Sequence, residues 1–161
     1  MTPPVPTPIG VGPAFHPAAL SRAVEAGAPV SGLRCGGDGR RFGVHLELFA
    51  ADRVVIVPAG IGVAPPWRRD GNYVRSGRCS YPARTREPTG VVEVSRAGLT
   101  LGDFFAVWRR ERLSRYRRAY VDGRRWPGAL ATVPLSRHAE IVLEVGPFIR
   151  PHASFLFRKG L

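Results

Sequence analysis

Acidic residues are in short supply. Twelve Asp and Glu stand against 24 Lys and Arg, for a formal net charge of +12. Lysine is scarcer still: Lys159 is the only one, so arginine carries the charge. A GC-rich coding sequence accounts for Arg in place of Lys, but not for the excess of base over acid. Such a field favours anionic partners (nucleic acid, acidic polysaccharide or lipid head groups) over cationic ones. No apolar run approaches the ~20 residues of a membrane span. The first residues are Pro-rich rather than apolar, so no signal peptide is visible; a start codon placed too far downstream would hide one. The motifs of catalysis are missing as well: there is no Ser-His-Asp arrangement, phosphate-cradling loop or Gly-x-Gly-x-x-Gly fingerprint in a credible context. Gly60-Ile61-Gly62 is only a fragment of one. His16, His45, His138 and His152 are scattered, without metal-ligand spacing to one another or to a cysteine. The expectation is a protein without catalytic residues, cofactor or metal.

What is present fits a single domain. A chain of 161 residues with 44% hydrophobic content can bury one core unaided, and 19 glycines with 16 prolines favour short strands and turns over a helical bundle. Residues 1–31 hold seven prolines and little periodicity, and read as a Pro-rich, disordered tail or tether with one weak helical turn near Ala18–Ala26. The globular body is expected over 32–161. Val44, Leu46 and Leu48 alternate with His45 and Glu47, the period of a half-buried strand, and Ala51-Asp52 turns the chain into a second strand at Arg53–Val57. This alternation turns His45 away from the apolar face, toward solvent or a second interface. A third strand is expected near Gly90–Val94. Thr100 N-caps a helix to about Arg110, with Asp103 near its positive end and Leu101, Phe104, Phe105 and Trp108 on one stripe. Asp122-Gly123 is the turn of a hairpin over 119–126. Ala139–Val145 is a strong late strand with Ile141, Leu143 and Val145 on one face, and a short last strand is expected at Ser154–Phe157. The fold class is α+β: a mixed or antiparallel sheet of short strands packed against one principal helix.

Two sets of arginines are candidate anion-binding residues. Arg84 and Arg86, two apart on an extended segment, point to one side and can present planar forks to a carboxylate, sulfate or phosphate; equally, each can pair with Glu87, Glu93 or another local acid. Arg109, Arg110, Arg112, Arg115, Arg117 and Arg118 surround a single acid, Glu111, with Trp108 and Tyr116 interleaved. That is the composition of a nucleic-acid surface or of a solvated basic face, without any named module to decide between them. Cys35 and Cys79, the two cysteines, either close a loop of about 45 residues or remain buried thiols.

Several phrases together resemble an uncharacterised family of small exported bacterial proteins: Gly32-Leu-Arg-Cys35, His45-Leu-Glu-Leu-Phe49, Val57-Pro-Ala-Gly-Ile-Gly62, Cys79-Ser-Tyr81, Thr89-Gly-Val-Val-Glu93, Leu99-Thr-Leu-Gly-Asp-Phe-Phe105 with Trp108, and Tyr120-Val-Asp-Gly123. The resemblance covers residues 32 to about 146 and implies an extracytoplasmic domain, which favours a Cys35–Cys79 disulfide. It also implies a His-x-His-x-His cluster at the first strand and a His-Thr-His-Asp cluster after the second cysteine, competent for zinc or copper. Here only His45 remains of the first, behind Arg41 and Gly43, and the second reads Arg84-Thr85-Arg86-Glu87. Guanidinium groups cannot ligate a metal and repel one. The preferred reading is a non-catalytic extracytoplasmic domain that binds an anionic polymer or a protein partner through its Arg-rich surface. The alternatives are a copper- or zinc-handling relative whose site has decayed, and a cytosolic nucleic-acid-binding protein.

Overall fold

The structure is a computed structural model, and it describes residues 17–37 and 39–161. In chain order it contains α1 (Arg22–Ala26), β1 (Phe42–Ala50), β2 (Arg53–Val55), β3 (Val63–Ala64), β4 (Arg68–Asp70), β5 (Tyr73–Ser76), β6 (Cys79–Ser80), β7 (Ala83–Thr85), β8 (Val91–Val94), α2 (Leu101–Trp108), β9 (Arg118–Val121), β10 (Arg124–Arg125) and β11 (Glu140–Val145). The main sheet runs β10-β9-β11-β1-β8-β7, and β2 shares with β8 the edge of β1 opposite β11. Only β1–β11 is parallel, so the sheet is mixed. Two small hairpin sheets, β3–β6 and β4–β5, flank it.

Strand alternation gives this sheet two different faces. Register places Leu46 beside Ile141, Leu48 beside Leu143, and Val44 beside Val92. These side chains, with Ala119 and Val94, join Leu101, Phe104, Phe105, Val107 and Trp108 of α2 in one apolar core. The helix starts where expected: Thr100 Oγ1 accepts from the Asp103 N–H and the Asp103 carboxylate accepts from the Thr100 N–H, a reciprocal cap. It ends at Trp108, earlier than Arg110, because Arg109 takes a positive φ of 58°. The arginine-rich stretch beyond is therefore a loop with one 3₁₀ turn at Leu113–Arg115.

Two expectations about chain ends need correction. Residues 1–16 of the expected tail, His16 included, lie outside the described residues, as does Asp38. From Pro17 onward the chain belongs to the body: Val24 of α1 is fully buried, the Ala18 N–H bonds the Ala59 carbonyl at 2.8 Å, and the buried Tyr81 hydroxyl donates to the Ala28 carbonyl. At the other end, 154–157 forms no strand. Residues 147–161 are an irregular strap laid back across the sheet. Among the described residues no helix is long and apolar enough to cross a membrane.

Candidate functional site

The second face of the sheet carries Gly43, His45 and Glu47 from β1, Glu140 and Glu144 from β11, Glu93 from β8 and Arg84 from β7. Alternation alone would assign these to solvent. Instead His45, Glu140, Glu144, Glu93, Arg84 and Arg86 are all buried, and the strap meets Glu144, Glu47, His45 and Gly43 in turn. The Ile149 N–H bonds Glu144 at 3.1 Å, and His152 Nδ1 donates to Glu47 Oε2 at 2.7 Å. The Phe155 ring stacks on His45 at 3.8 Å, and Phe157 stacks on His138 at 4.6 Å. Phe157 also fills the space over Gly43: a Cβ there would lie 2.6 Å from its ring. The His138 Nε2–H bonds the Leu161 carbonyl at 2.6 Å, closing the strap.

This face holds two polar clusters. In the first, Arg84 and Arg86 both converge on Glu93: Arg86 Nε lies 2.9 and 3.1 Å from its two carboxylate oxygens and Arg84 Nε lies 3.4 Å from Oε1. Arg84 Nη1 also donates to the Tyr81 carbonyl at 3.1 Å. With Arg84 0% and Arg86 4% exposed, neither presents a fork at the surface. Of the two sequence expectations for this pair, local pairing holds and an exposed anion site does not. Arg41, at the rim, reaches the same Glu93 at 3.7 Å.

In the second cluster the His45 Nε2–H donates to the Thr89 carbonyl at 2.9 Å, which leaves Nδ1 as an acceptor in the neutral ring. Glu140 Oε2 lies 2.7 Å from Nδ1. Burial lowers the His45 pKa to about 4, only partly opposed by the Glu47 charge. Burial first, then hydrogen bonding to and repulsion by Glu47, raises that of Glu140 to about 11. Geometry and energetics therefore agree on a neutral pair in which Glu140 carries the proton and donates it to Nδ1, and the contact is a hydrogen bond rather than an ion pair. Burial pushes the Glu47 carboxyl up, but the hydrogen bond from His152 and the neighbouring Glu140 and imidazole groups outweigh it and lower its pKa. Among the described residues, His45, Glu47 and Glu140 are the group whose ligand atoms lie close enough, within 4.8 Å, to close on a cation. That geometry is already satisfied by one shared proton, which any cation would have to displace. Glu140 was missed in the sequence because its strand looked solvent-facing on that side; the aromatic Phe155-Leu156-Phe157 near the chain's end was the available sign that something had to be covered.

The remaining predicted arginines divide by environment. Arg109, Arg110, Arg112, Arg115 and Arg117 are exposed on the loop after α2, and Arg115 pairs with Glu111 at 3.1 Å. Arg118 turns inward to the buried Glu144 at 3.1 Å. Cys35 and Cys79 are joined as a disulfide between the segment before β1 and β6. Comparison with known proteins returns no matching family model, no matching curated protein and no matching solved structure, so the surface and its chemistry are what this chain offers for assigning a role.

Proposed function

We propose that this protein is a non-catalytic, disulfide-stapled extracytoplasmic domain that binds an anionic partner through its arginine surface. One observation carries the reading: the arginines after α2 stand at the surface with little acid beside them. Glu93, Glu140 and Glu144 are buried together with Arg84 and Arg86, whereas Arg109, Arg110, Arg112, Arg115 and Arg117 are exposed and the nearby Glu111 pairs with Arg115. Guanidinium groups without carboxylate neighbours keep their forks available to a ligand, and their summed field draws anions. The disulfide supports the compartment, since such bonds persist where the surroundings are oxidising.

Salt-dependent retention on immobilised heparin tests the binding reading. Affinity should fall steeply between about 50 and 300 mM salt as condensed counterions compete. Retention that ignores salt, or no retention at 50 mM, overturns it. Counting free thiols by mass after rapid alkylation in native cells tests the compartment: a closed Cys35–Cys79 bond supports export, and two free thiols refute it.

A further inference from the structure

The arginines singled out by sequence lie on a convex loop. A different set lines a concave surface. At the end of the sheet where β1 and β11 begin and β8 finishes, two open hollows adjoin. One, of about 540 Å³, is walled by Arg40, Arg41 and Arg137 with Phe42 and Gly160. The other, of about 380 Å³, is walled by Arg34 and Arg96 beside Gly36 and Ser80. Ser95 borders both. All five arginines are exposed, and among the described residues neither hollow has an acidic wall. Among the described residues Arg41 alone of the five meets a carboxylate, the buried Glu93 at 3.7 Å, which it shares with Arg84 and Arg86.

We propose that these hollows form one seat for tetrahedral oxyanions, binding a ligand that bears two or more phosphate or sulfate groups. This deepens the anionic-partner reading and rests on it, while moving the site away from the 109–118 loop. Three features specify the chemistry. Five planar guanidinium groups offer paired N–H donors matched to the edge of a phosphate or sulfate. Two joined hollows, each with its own arginines, suit a ligand with more than one anionic group rather than a lone carboxylate. Concavity lowers solvent access and focuses the field, which a convex loop cannot do. The scaffold is rigid at this point: the Cys35–Cys79 bond and the mutual Gly36–Ser80 backbone hydrogen bonds at 2.8 Å fix the wall that carries Arg34, and Phe42–Val94 pairing fixes the flanks that carry Arg40, Arg41 and Arg96.

The test uses the oxidised full chain and two small probes, tripolyphosphate and a trisulfated heparin disaccharide, titrated by calorimetry at low salt. Two triple variants remove equal charge: Arg40→Ser/Arg96→Ser/Arg137→Ser in the seat, and Arg109→Ser/Arg110→Ser/Arg112→Ser on the loop. The seat variant should weaken binding by at least about tenfold, and the loop variant by no more than about threefold, the residue of a screened long-range field. In the unmodified chain, tripolyphosphate or the disaccharide should shift the backbone amides of Ser95 and Gly36 in NMR spectra, a readout independent of variant folding. Binding of one probe alone supports the seat and names the source, phosphate or sulfate. Equal losses in both variants, or amide shifts confined to 109–117, overturn the seat and leave the anionic-partner reading standing. If neither probe binds while long heparin is retained in a salt-dependent way, the seat again fails and the broader reading survives. If heparin is not retained either, both fall.

Discussion

Replacing Glu140 by glutamine should reshape the pH dependence of stability in a way that few buried carboxyls would. In the folded protein the His45–Glu140 pair holds one proton between the depressed His45 pKa near 4 and the raised Glu140 pKa near 11. The unfolded pair holds two protons below pH 4.5, one between 4.5 and 6.5, and none above. Between 4.5 and 6.5 the counts are equal and the pair contributes no slope. Above 6.5 the folded state retains a proton that the unfolded chain has released, so stability falls by about 1.4 kcal/mol per pH unit. That sign is the one expected for a group raised on folding: its contribution is full below its unfolded pKa and lost as pH climbs. The total depends on the number of protons held by the pair, not on which partner holds them. The Gln side chain cannot titrate and its amide still donates to His45 Nδ1. The variant should therefore be flat above pH 6.5, and below it should lose stability as the lone His45, lowered on folding, is forced to charge. The difference between variant and parent should tilt toward the variant by about 1.4 kcal/mol per pH unit, or roughly 3 kcal/mol between pH 6.5 and 8.5. Glu47, His152 and Asp122 face the same pair and are present in both proteins, so their contributions largely cancel in the difference. Urea denaturation at pH 5.5, 7.0 and 8.5 measures it, with equal m-values as the control. A difference that does not move with pH would mean that the folded pair holds no proton between about pH 6.5 and 8.5, with Glu140 ionised beside a neutral His45, and would refute the assignment.

Three further outcomes follow from named contacts. Glu93→Gln strands the buried Arg84 and Arg86 without their carboxylate and should lower stability by about 3–5 kcal/mol in urea titrations, whereas Glu25→Gln on the exposed side of α1 should change little. Cys35→Ser with Cys79→Ser opens a loop with a sequence separation of 44 and should cost about 4 kcal/mol in the chain-entropy model, read as a fall in the urea midpoint; an unchanged midpoint would show that the staple contributes nothing. Gly43→Ala places a methyl group against Phe157 and should lift the strap, costing roughly 1–3 kcal/mol and exposing the 147–161 segment to trypsin at Arg150; equal cleavage rates in parent and variant would argue that the strap is not held there.

Much of the main sheet and the start and apolar stripe of α2 were legible in the chain because local signals and burial agreed there. Val44, Leu46 and Leu48 announced β1, Thr100 with Asp103 announced the helix start, and Asp122-Gly123 placed the β9–β10 turn. The second face was not legible for a physical reason. A period-2 pattern reports a chemical difference between two faces but not whether the polar one is wet. His45, Glu140 and Glu144 occupy the polar phase of strands whose cover arrives as an irregular segment from the far end of the chain, with no periodicity of its own to read. The concave arginines were hidden similarly: Arg34, Arg40, Arg41, Arg96 and Arg137 are dispersed in sequence and meet only through register. The contiguous Arg109–Arg118 run stood out because it is local, not because the fold gathers it.

The parallel pairing of β1 with β11 joins residues 95 positions apart in sequence. At synthesis rates of about 5–20 residues per second, the central strand waits on the order of 5–20 seconds with one hydrogen-bonding edge open. Its β2 hairpin can form at once, and β8 follows about halfway through that interval, but the edge that will receive β11 stays bare, with Val44, Leu46 and Leu48 uncovered by a finished core. A chain that must leave the cytoplasm unfolded gains from that delay, since nothing central can lock until the last strand has emerged. A chain retained inside would spend the same interval as an exposed sheet edge, competing for partners with every other unfinished strand around it.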